Sequence, residues 1–377
     1  MSNLDAKFRL KDDNGKGLSK NDFTDIHKSK VDRVGEIKRV SSVMPMLSNQ
    51  STSVIFTAGQ QSGQGSRTYN YQNASLRFSH NFFQWNQSGY SDFGVIGSSS
   101  GSLLGKNVCI QFETDAIDFE LKFVEYNSRI QIRVNGDIVE NISYGSTGAV
   151  NYRRYRYSDR KVRLVEIFGF NIVFGGVVTE MISQVLYPTR LDERLKVAFF
   201  SDSYGQGVGA NSPRETYANH VADILDFNAL VDGIGGAGWL SSGGTDVVTR
   251  LESYILASNQ PPKVIISAFG YNDAGGDVEL IGLNIQRWIN RIRTYNPSCS
   301  IVMVSPWTPV GSTSNLSIVK GVIQQKCIDN SCTFVNIDNL INSYNKTVYT
   351  GNDNVHPLGV GHEFLGEVLA RMIHGKI

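Results

Sequence analysis

The spacing of apolar residues changes period once along this chain, near residue 195, and that change limits the possible folds more than any other feature. From about residue 50 to 190 the pattern repeats every second residue. Ile117, Phe119, Leu121 and Phe123 fall on one face, as do Ile130, Ile132 and Val134 just before Asn135-Gly136. Period-two alternation builds half-buried strands, and Asn-Gly is a strong hairpin signal. With further strands expected at 53–58, 108–113 and 162–168, this stretch predicts an antiparallel β-sandwich, jelly-roll-like in character. The Ser/Gly-rich stretches 59–66 and 97–102 hold too few apolar residues for strands and are expected to be exposed loops.

Beyond residue 195, short apolar runs at 196–200, 229–232, 264–268, 301–305 and 334–337 alternate with helical patterns at 214–226, 246–257, 278–295, 316–328 and 358–373. Strands alternating with helices predict an α/β unit whose mostly parallel sheet is covered on both faces. In that architecture, sites gather beyond the carboxyl ends of the strands. Residues 1 to 45 are polar and read as a connector, so the expected organisation is connector 1–45, sandwich 46–192 and α/β domain 193–377.

Composition narrows the function classes. The 36 basic and 35 acidic residues leave a formal charge of +1, so no global field draws the chain to nucleic acid or to an anionic membrane. Cys109, Cys299, Cys327 and Cys332 lack C-x-x-C spacing and read as reduced thiols, with no metal or cofactor implied. The first residues lack the basic and apolar regions of a secretory signal, and no apolar run approaches spanning length; synthesis in a cytosol without membrane insertion is expected.

Four polar clusters sit where the layout places strand ends. Ser201-Asp202-Ser203-Tyr204-Gly205-Gln206-Gly207 follows the first α/β strand, where a serine can point from a tight turn into a crevice. Gly233-Ile234-Gly235-Gly236-Ala237-Gly238-Trp239 follows the second; it can serve as a flexible loop, or Gly235 can aim its N–H at an oxyanion. Gly270-Tyr271-Asn272-Asp273 follows the third, where the Asn272 amide can donate a further hydrogen bond and turn chemistry is the alternative use. The last is Asp353-Asn354-Val355-His356-Pro357. Proline disfavours helix at His356, and a carboxylate three residues earlier can turn back to Nδ1–H, leaving Nε2 free to take a serine proton.

In order and spacing these clusters resemble the blocks of the SGNH (GDSL-type) hydrolases over roughly 180 residues, with the G-x-N-D and D-x-x-H blocks matching literally. The resemblance implies a flavodoxin-like α/β fold, no cofactor, nucleophile Ser203, base His356 and its partner Asp353. It assigns the oxyanion hole to the Ser203 and Gly235 backbones and the Asn272 side chain. Two positions depart from the pattern: Ser201 stands where the family has glycine, and Gly233 where it has asparagine.

A sandwich ahead of an SGNH domain is similar to the arrangement in some carbohydrate esterases. Tyr204, Trp239, Tyr271 and Trp307 lie near the blocks and are candidates to stack on sugar faces, core packing being the alternative. The phrase Gly15-Lys16-Gly17-Leu18-Ser19-Lys20-Asn21-Asp22-Phe23-Thr24 resembles a stretch of bacteriophage tail-fibre, tailspike and baseplate proteins. Together the resemblances imply a homotrimeric tail protein, made in the host cytoplasm and carried on the virion tail. It would bind phage tail or baseplate proteins through its N-terminus and remove O-acetyl or N-acetyl groups from a bacterial capsule or O-antigen polysaccharide. A lipid or thioester hydrolase and a catalytically silent glycan receptor-binding protein are the other expectations.

Overall fold

The computed structural model describes residues 54–57, 66–79, 82–85, 88–96, 107–180, 185–189, 193–256, 261–309 and 313–377. The connector 1–45, its tail-protein phrase and most of the two Ser/Gly-rich stretches lie outside them. Gln50–Ile377 forms one compact unit.

Its first part is built from β1 (Val54–Thr57), β2 (Arg67–Asn70), β3 (Arg77–Phe78), β4 (Phe82–Gln84), β5 (Gly94–Ile96), β6 (Asn107–Thr114) and β7 (Asp118–Val124). These are followed by β8 (Arg129–Val134), β9 (Asp137–Ser143), β10 (Val150–Arg156), β11 (Arg163–Phe170), β12 (Val173–Thr179) and β13 (Leu186–Tyr187). One antiparallel sheet runs β1-β10-β7-β12-β5-β4 with β2 also on β12; the other runs β13-β6-β11-β8-β9 with β3 on β6. The inward residues of both bury one core. Ile110 and Phe112 of β6 meet Phe119, Leu121 and Phe123 of β7, and the Phe112 and Phe119 rings pack edge to face at 6.1 Å. The expected hairpin at Asn135-Gly136 joins β8 to β9, both residues taking the positive φ that a tight two-residue turn requires.

The second part is a parallel sheet, β14 (Lys196–Ser201), β15 (Asn228–Gly233), β16 (Val264–Ala268), β17 (Ser300–Val304) and β18 (Thr333–Val335), in the order β15-β14-β16-β17-β18. Its helices are α1 (Ser203–Gln206), α2 (Tyr217–Leu225), α3 (Val247–Arg250), α4 (Val278–Tyr295), α5 (Ser314–Asp329), α6 (Lys346–Tyr349) and α7 (Gly359–Ile373). Capping sets several starts: Thr216, Asp277 and Thr313 each accept from backbone N–H groups in the first turn. Hence α2 begins three residues later than the periodicity predicts, after Pro213 and its cap. The pattern 246–257 resolves into α3 followed by a π-helical turn, Leu251–Leu256. The strand order reverses at β14, which lies between β15 and β16, so a crevice opens beyond its carboxyl end.

The outer face of the second sandwich sheet seats against the loops that follow β14. Arg129 donates from Nη2 to the Ala210 carbonyl (2.8 Å), Gln131 to Ser212 Oγ (3.0 Å), and Tyr254 of the π-turn donates to the Asn107 carbonyl (2.7 Å). Behind the crevice, Arg250 is fully buried. Its Nε donates to Asp232 Oδ2 at 3.0 Å, Nη2 to the carbonyls of Ser201 and Asp232, and Nη1 to Ser242 Oγ, while the guanidinium lies 4.3 Å from the Phe200 ring centre. One side chain thereby joins the ends of β14 and β15. Removing one partner of a buried ion pair strands the other charge, at a cost of about 3–5 kcal/mol. Arg250→Met should therefore lower unfolding free energy by about that amount in urea titration, far more than loss of an exposed pair such as Arg287–Asp246.

Candidate active site

Asp202 follows β14 and caps α1, its Oδ1 accepting from Tyr204 N–H at 3.0 Å. Ser203 is thus the first helical residue, and its backbone N–H has no intrahelical acceptor. Gly207 closes the turn at φ 84°. Close packing beneath this turn accounts for both departures from the SGNH pattern. A Cβ on Gly233 would stand 2.1 Å from Gln206 N and 2.2 Å from the Gly205 carbonyl carbon, so α1 leaves no room for an asparagine there. A Cβ on Gly205 would stand 2.5 Å from Ser201 Cβ, so the serine fits because residue 205 is glycine. The Ser201 hydroxyl donates to the Ala268 carbonyl (3.0 Å) and accepts from Tyr217 Oη (2.9 Å), fully satisfied in a buried position.

The histidine arrives on a loop closed by its own backbone. Gly351 N–H donates to the His356 carbonyl (2.8 Å), and Asn354 takes the left-handed conformation, φ 56°. Asp353 Oδ1 accepts from the N–H groups of Val355 and His356 (2.9 and 3.0 Å), and Oδ2 lies 2.6 Å from His356 Nδ1. The hydrogen bond from the His356 side chain, reinforced by these backbone donors, pulls the Asp353 carboxyl down to about 2. It is a carboxylate throughout the neutral range and holds the proton on Nδ1. His356 Nε2 lies 2.9 Å from Ser203 Oγ, placed to accept its hydrogen. The three expected residues converge in one relay.

The other expected donors are also at this crevice. Gly235 N–H donates to Gln206 Oε1 at 2.7 Å, and Gln206 lies one turn from Ser203 on α1. An amide oxygen therefore sits on the N–H that the sequence assigns to an oxyanion. Asn272 is exposed and spends one amide hydrogen on the Ala237 carbonyl (2.9 Å), keeping the second. Asp273 holds the glycine loop against β16, accepting from the N–H groups of Trp239 (2.8 Å) and Leu240 (2.9 Å). Sequence reasoning missed Gln206, because a glutamine between two glycines carries no signal of its own. It underused Asp273, whose place in the G-x-N-D block is its signal.

Residues 199–364 match the model of the GDSL-like lipase/acylhydrolase family. The α/β part of the chain is a GDSL-type hydrolase domain. Comparison with curated proteins finds no significant match. Among solved structures, the chain is similar to a salicylyl-acyltransferase from a tetracycline biosynthetic pathway (TM-score 0.67, 14% identity, covering 83% of this chain and 98% of that one). It is also similar to family two carbohydrate esterases from Cellvibrio japonicus (TM-score 0.64, 15% identity, 86% and 97% covered) and from Clostridium thermocellum in complex with cellohexaose (TM-score 0.61, 16% identity, 80% and 98% covered). Identities this low speak for the fold, and the coverage extends it beyond the GDSL domain into the sandwich.

Three of the four aromatic residues expected to meet sugar belong instead to the GDSL domain's core. Trp239 is 1% exposed and stacks on Phe269 at 4.3 Å. Tyr204 is 1% and Trp307 3% exposed; their rings lie 5.2 Å apart and nearly parallel, and Tyr204 Oη donates to the Val355 carbonyl. Tyr204 thus ties α1 to the histidine loop, a positioning role that an aromatic residue beside a nucleophile does not announce. Tyr271 is half-buried beside Asn272.

Two buried titratable groups brace the turn. Burial raises the Asp202 carboxyl to about 7 against the pull of the Tyr204 N–H and Arg250. Burial lowers His362 to about 4; its Nδ1 accepts from Tyr217 N–H (3.3 Å) and its Nε2 donates to the Val208 carbonyl (3.0 Å), both as a neutral ring. A histidine depressed on folding contributes stability that is complete above its unfolded value of about 6.5 and is lost as pH falls through about 4. The difference in unfolding free energy between wild type and His362→Gln should shrink by about 3 kcal/mol from pH 7 to pH 4. Taking the difference cancels the opposite trend of Asp202. Separately, Gly205→Ala should destabilise the GDSL domain by about 1–3 kcal/mol through overpacking, and Ser201→Gly in the same chain should restore most of it. Simple additivity in this double-mutant cycle, measured by thermal unfolding, would contradict the contact.

Proposed function

We propose that the protein is a serine esterase removing O-acetyl, or N-acetyl, groups from a bacterial surface polysaccharide. The observation that carries the reading is the relay Ser203–His356–Asp353, with contacts of 2.9 and 2.6 Å at the carboxyl end of β14 in a GDSL-type domain. A serine hydroxyl becomes an effective nucleophile when a positioned base takes its proton during attack. Ser203 Oγ adds to the acetyl carbonyl as its proton passes to His356 Nε2, and the Asp353 carboxylate steadies the imidazolium. The oxyanion accepts from the N–H groups of Ser203 and Gly235 and from the remaining Asn272 amide hydrogen. Gln206 Oε1 leaves Gly235 as this oxygen arrives, exchanging one hydrogen bond for another. His356 then protonates the departing sugar oxygen, giving the free alcohol and acetyl-Ser203. Water, deprotonated by the same imidazole, releases acetate and returns the proton to Ser203.

Polysaccharide as substrate is supported by the carbohydrate esterases among the similar folds and by the half-buried Tyr271 at the crevice. The strand order supports a jelly roll for the sandwich: β6 to β12 alternate between the sheets, apart from the β8–β9 hairpin. On this reading the connector 1–45 joins a homotrimer to phage tail or baseplate proteins, and the esterase acts at the bacterial surface from the virion tail. The test is acetate release from acetylated capsule and O-antigen, with an aryl acetate as a simple substrate. Ser203→Ala and His356→Ala should each lower kcat by at least about 1,000-fold with the fold intact. Turnover that survives Ser203→Ala would reject the assignment.

A further inference from the structure

A cavity of about 340 Å³ lies where the second sandwich sheet meets the amino ends of β14 and β15. None of the residues of the relay lines it. From Lys196 to Ser201, β14 extends about 17 Å at about 3.3 Å per residue, so the cavity and the crevice occupy opposite ends of one strand.

Its lining is cationic: Arg77, Arg133, Arg194, Lys196 and Arg214 line it with a single carboxylate, Glu166, while Arg194 also pairs with Asp226 at 3.7 Å. One wall is a cross-strand row fixed by register, with Arg77 opposite Gln111, Gln111 opposite Glu166 and Glu166 opposite Arg133. Glu166 accepts from Gln111 at 2.8 Å, while Arg133 Nε donates to the neutral Gln131 at 2.9 Å. Among the described residues no carboxylate lies within ion-pair distance of Arg133.

Arg214 reaches in from the opposite wall. It pairs with Asp223, yet its Nε is buried without a hydrogen-bond partner. Both guanidinium groups lie near one ring, Arg133 5.8 Å and Arg214 5.2 Å from the centre of Phe168. Two like charges converging on one half-buried ring repel each other, and burial together with Arg214 pulls Arg133 below the usual guanidinium range against the attraction of Glu166, Asp223 and Glu215. Such a convergence is stabilised by an anion that accepts from both forks.

The remaining lining fits something larger than a bare ion. Gln111, Asn219 and Asn228 offer neutral amides, and Phe78 and Phe227 supply apolar surface. The volume is at the lower end of the range of small-molecule sites.

We infer that this cavity is a second binding site, separate from the esterase crevice, for a small polyol carrying one anionic group, such as a carboxylated or phosphorylated sugar residue. The anion sits between Arg133 and Arg214 while the amides take hydroxyl groups. The inference does not rest on the esterase reading, since binding is measured directly.

The probes are glucuronate, glucose 6-phosphate and neutral glucose, titrated calorimetrically into the full-length chain at constant ionic strength. At least one anionic sugar should bind at least tenfold more tightly than glucose, and which one identifies the anion. Arg133→Gln should weaken that binding at least tenfold while its thermal unfolding stays cooperative. If Arg133→Gln does not fold, Arg194→Glu, at an exposed position on the cavity lining, places a negative charge there and should weaken binding to a similar degree. Absence of binding by both anionic sugars, equal binding of glucose, or unchanged affinity in the folded variant would overturn the site.

Discussion

The buried Arg250 is the constraint on which the active-site geometry rests. Parallel strands end in carbonyl groups with no further ladder partner, and here the ends of β14 and β15 share one guanidinium that donates to the Ser201 carbonyl, to the Asp232 carbonyl and Oδ2, and to Ser242 Oγ. A planar fork fixes directions as well as distances. The residue after Ser201 therefore leaves the sheet along a set path, and Asp202 caps α1 where the Ser203 hydroxyl meets His356. A lysine in that place would hold charge without that geometry.

From this anchor the site is assembled by packing as much as by hydrogen bonds. The glycines at 205 and 233 let α1 lie directly on β14 and β15, and Tyr204, stacked on Trp307, reaches across to the carbonyl of Val355. The histidine loop is consequently referenced to the same short helix that carries the nucleophile. Asp353 is largely open to solvent, yet its two backbone donors and the imidazole keep it ionised and directed. Precision here comes from many short-range constraints around a small exposed group.

The fold was largely legible because hydrophobic period is a collective signal. Strand 264–268 and helix 278–295 have the bounds that periodicity predicts, the helix because Asp277 caps its start. The meeting of Ser203, His356 and Asp353 was legible too, since Asp-x-x-His before proline encodes a local turn. Direction was not: Trp239 and Trp307 are buried in the core, which aromatic identity cannot specify. Nor could one sequence reveal that Ser201 depends on glycine at 205, or that Gln206 covers Gly235, for both relations exist between segments brought together by the sheet. The short helix Lys346–Tyr349 carries too little pattern to be read in advance.

The sandwich holds more than position. Arg129 and Asn107 donate to the carbonyls of Ala210, Gly207 and Gly205, all within seven residues of Ser203. These are the carbonyls of the turn that follows the nucleophile, so the sandwich supplies hydrogen bonds to that turn. The two parts of this one compact unit are therefore not interchangeable modules. A lineage that replaced one sandwich with another would have to reproduce donors at two particular places on its outer sheet, and heredity of the pair as a unit is the natural outcome.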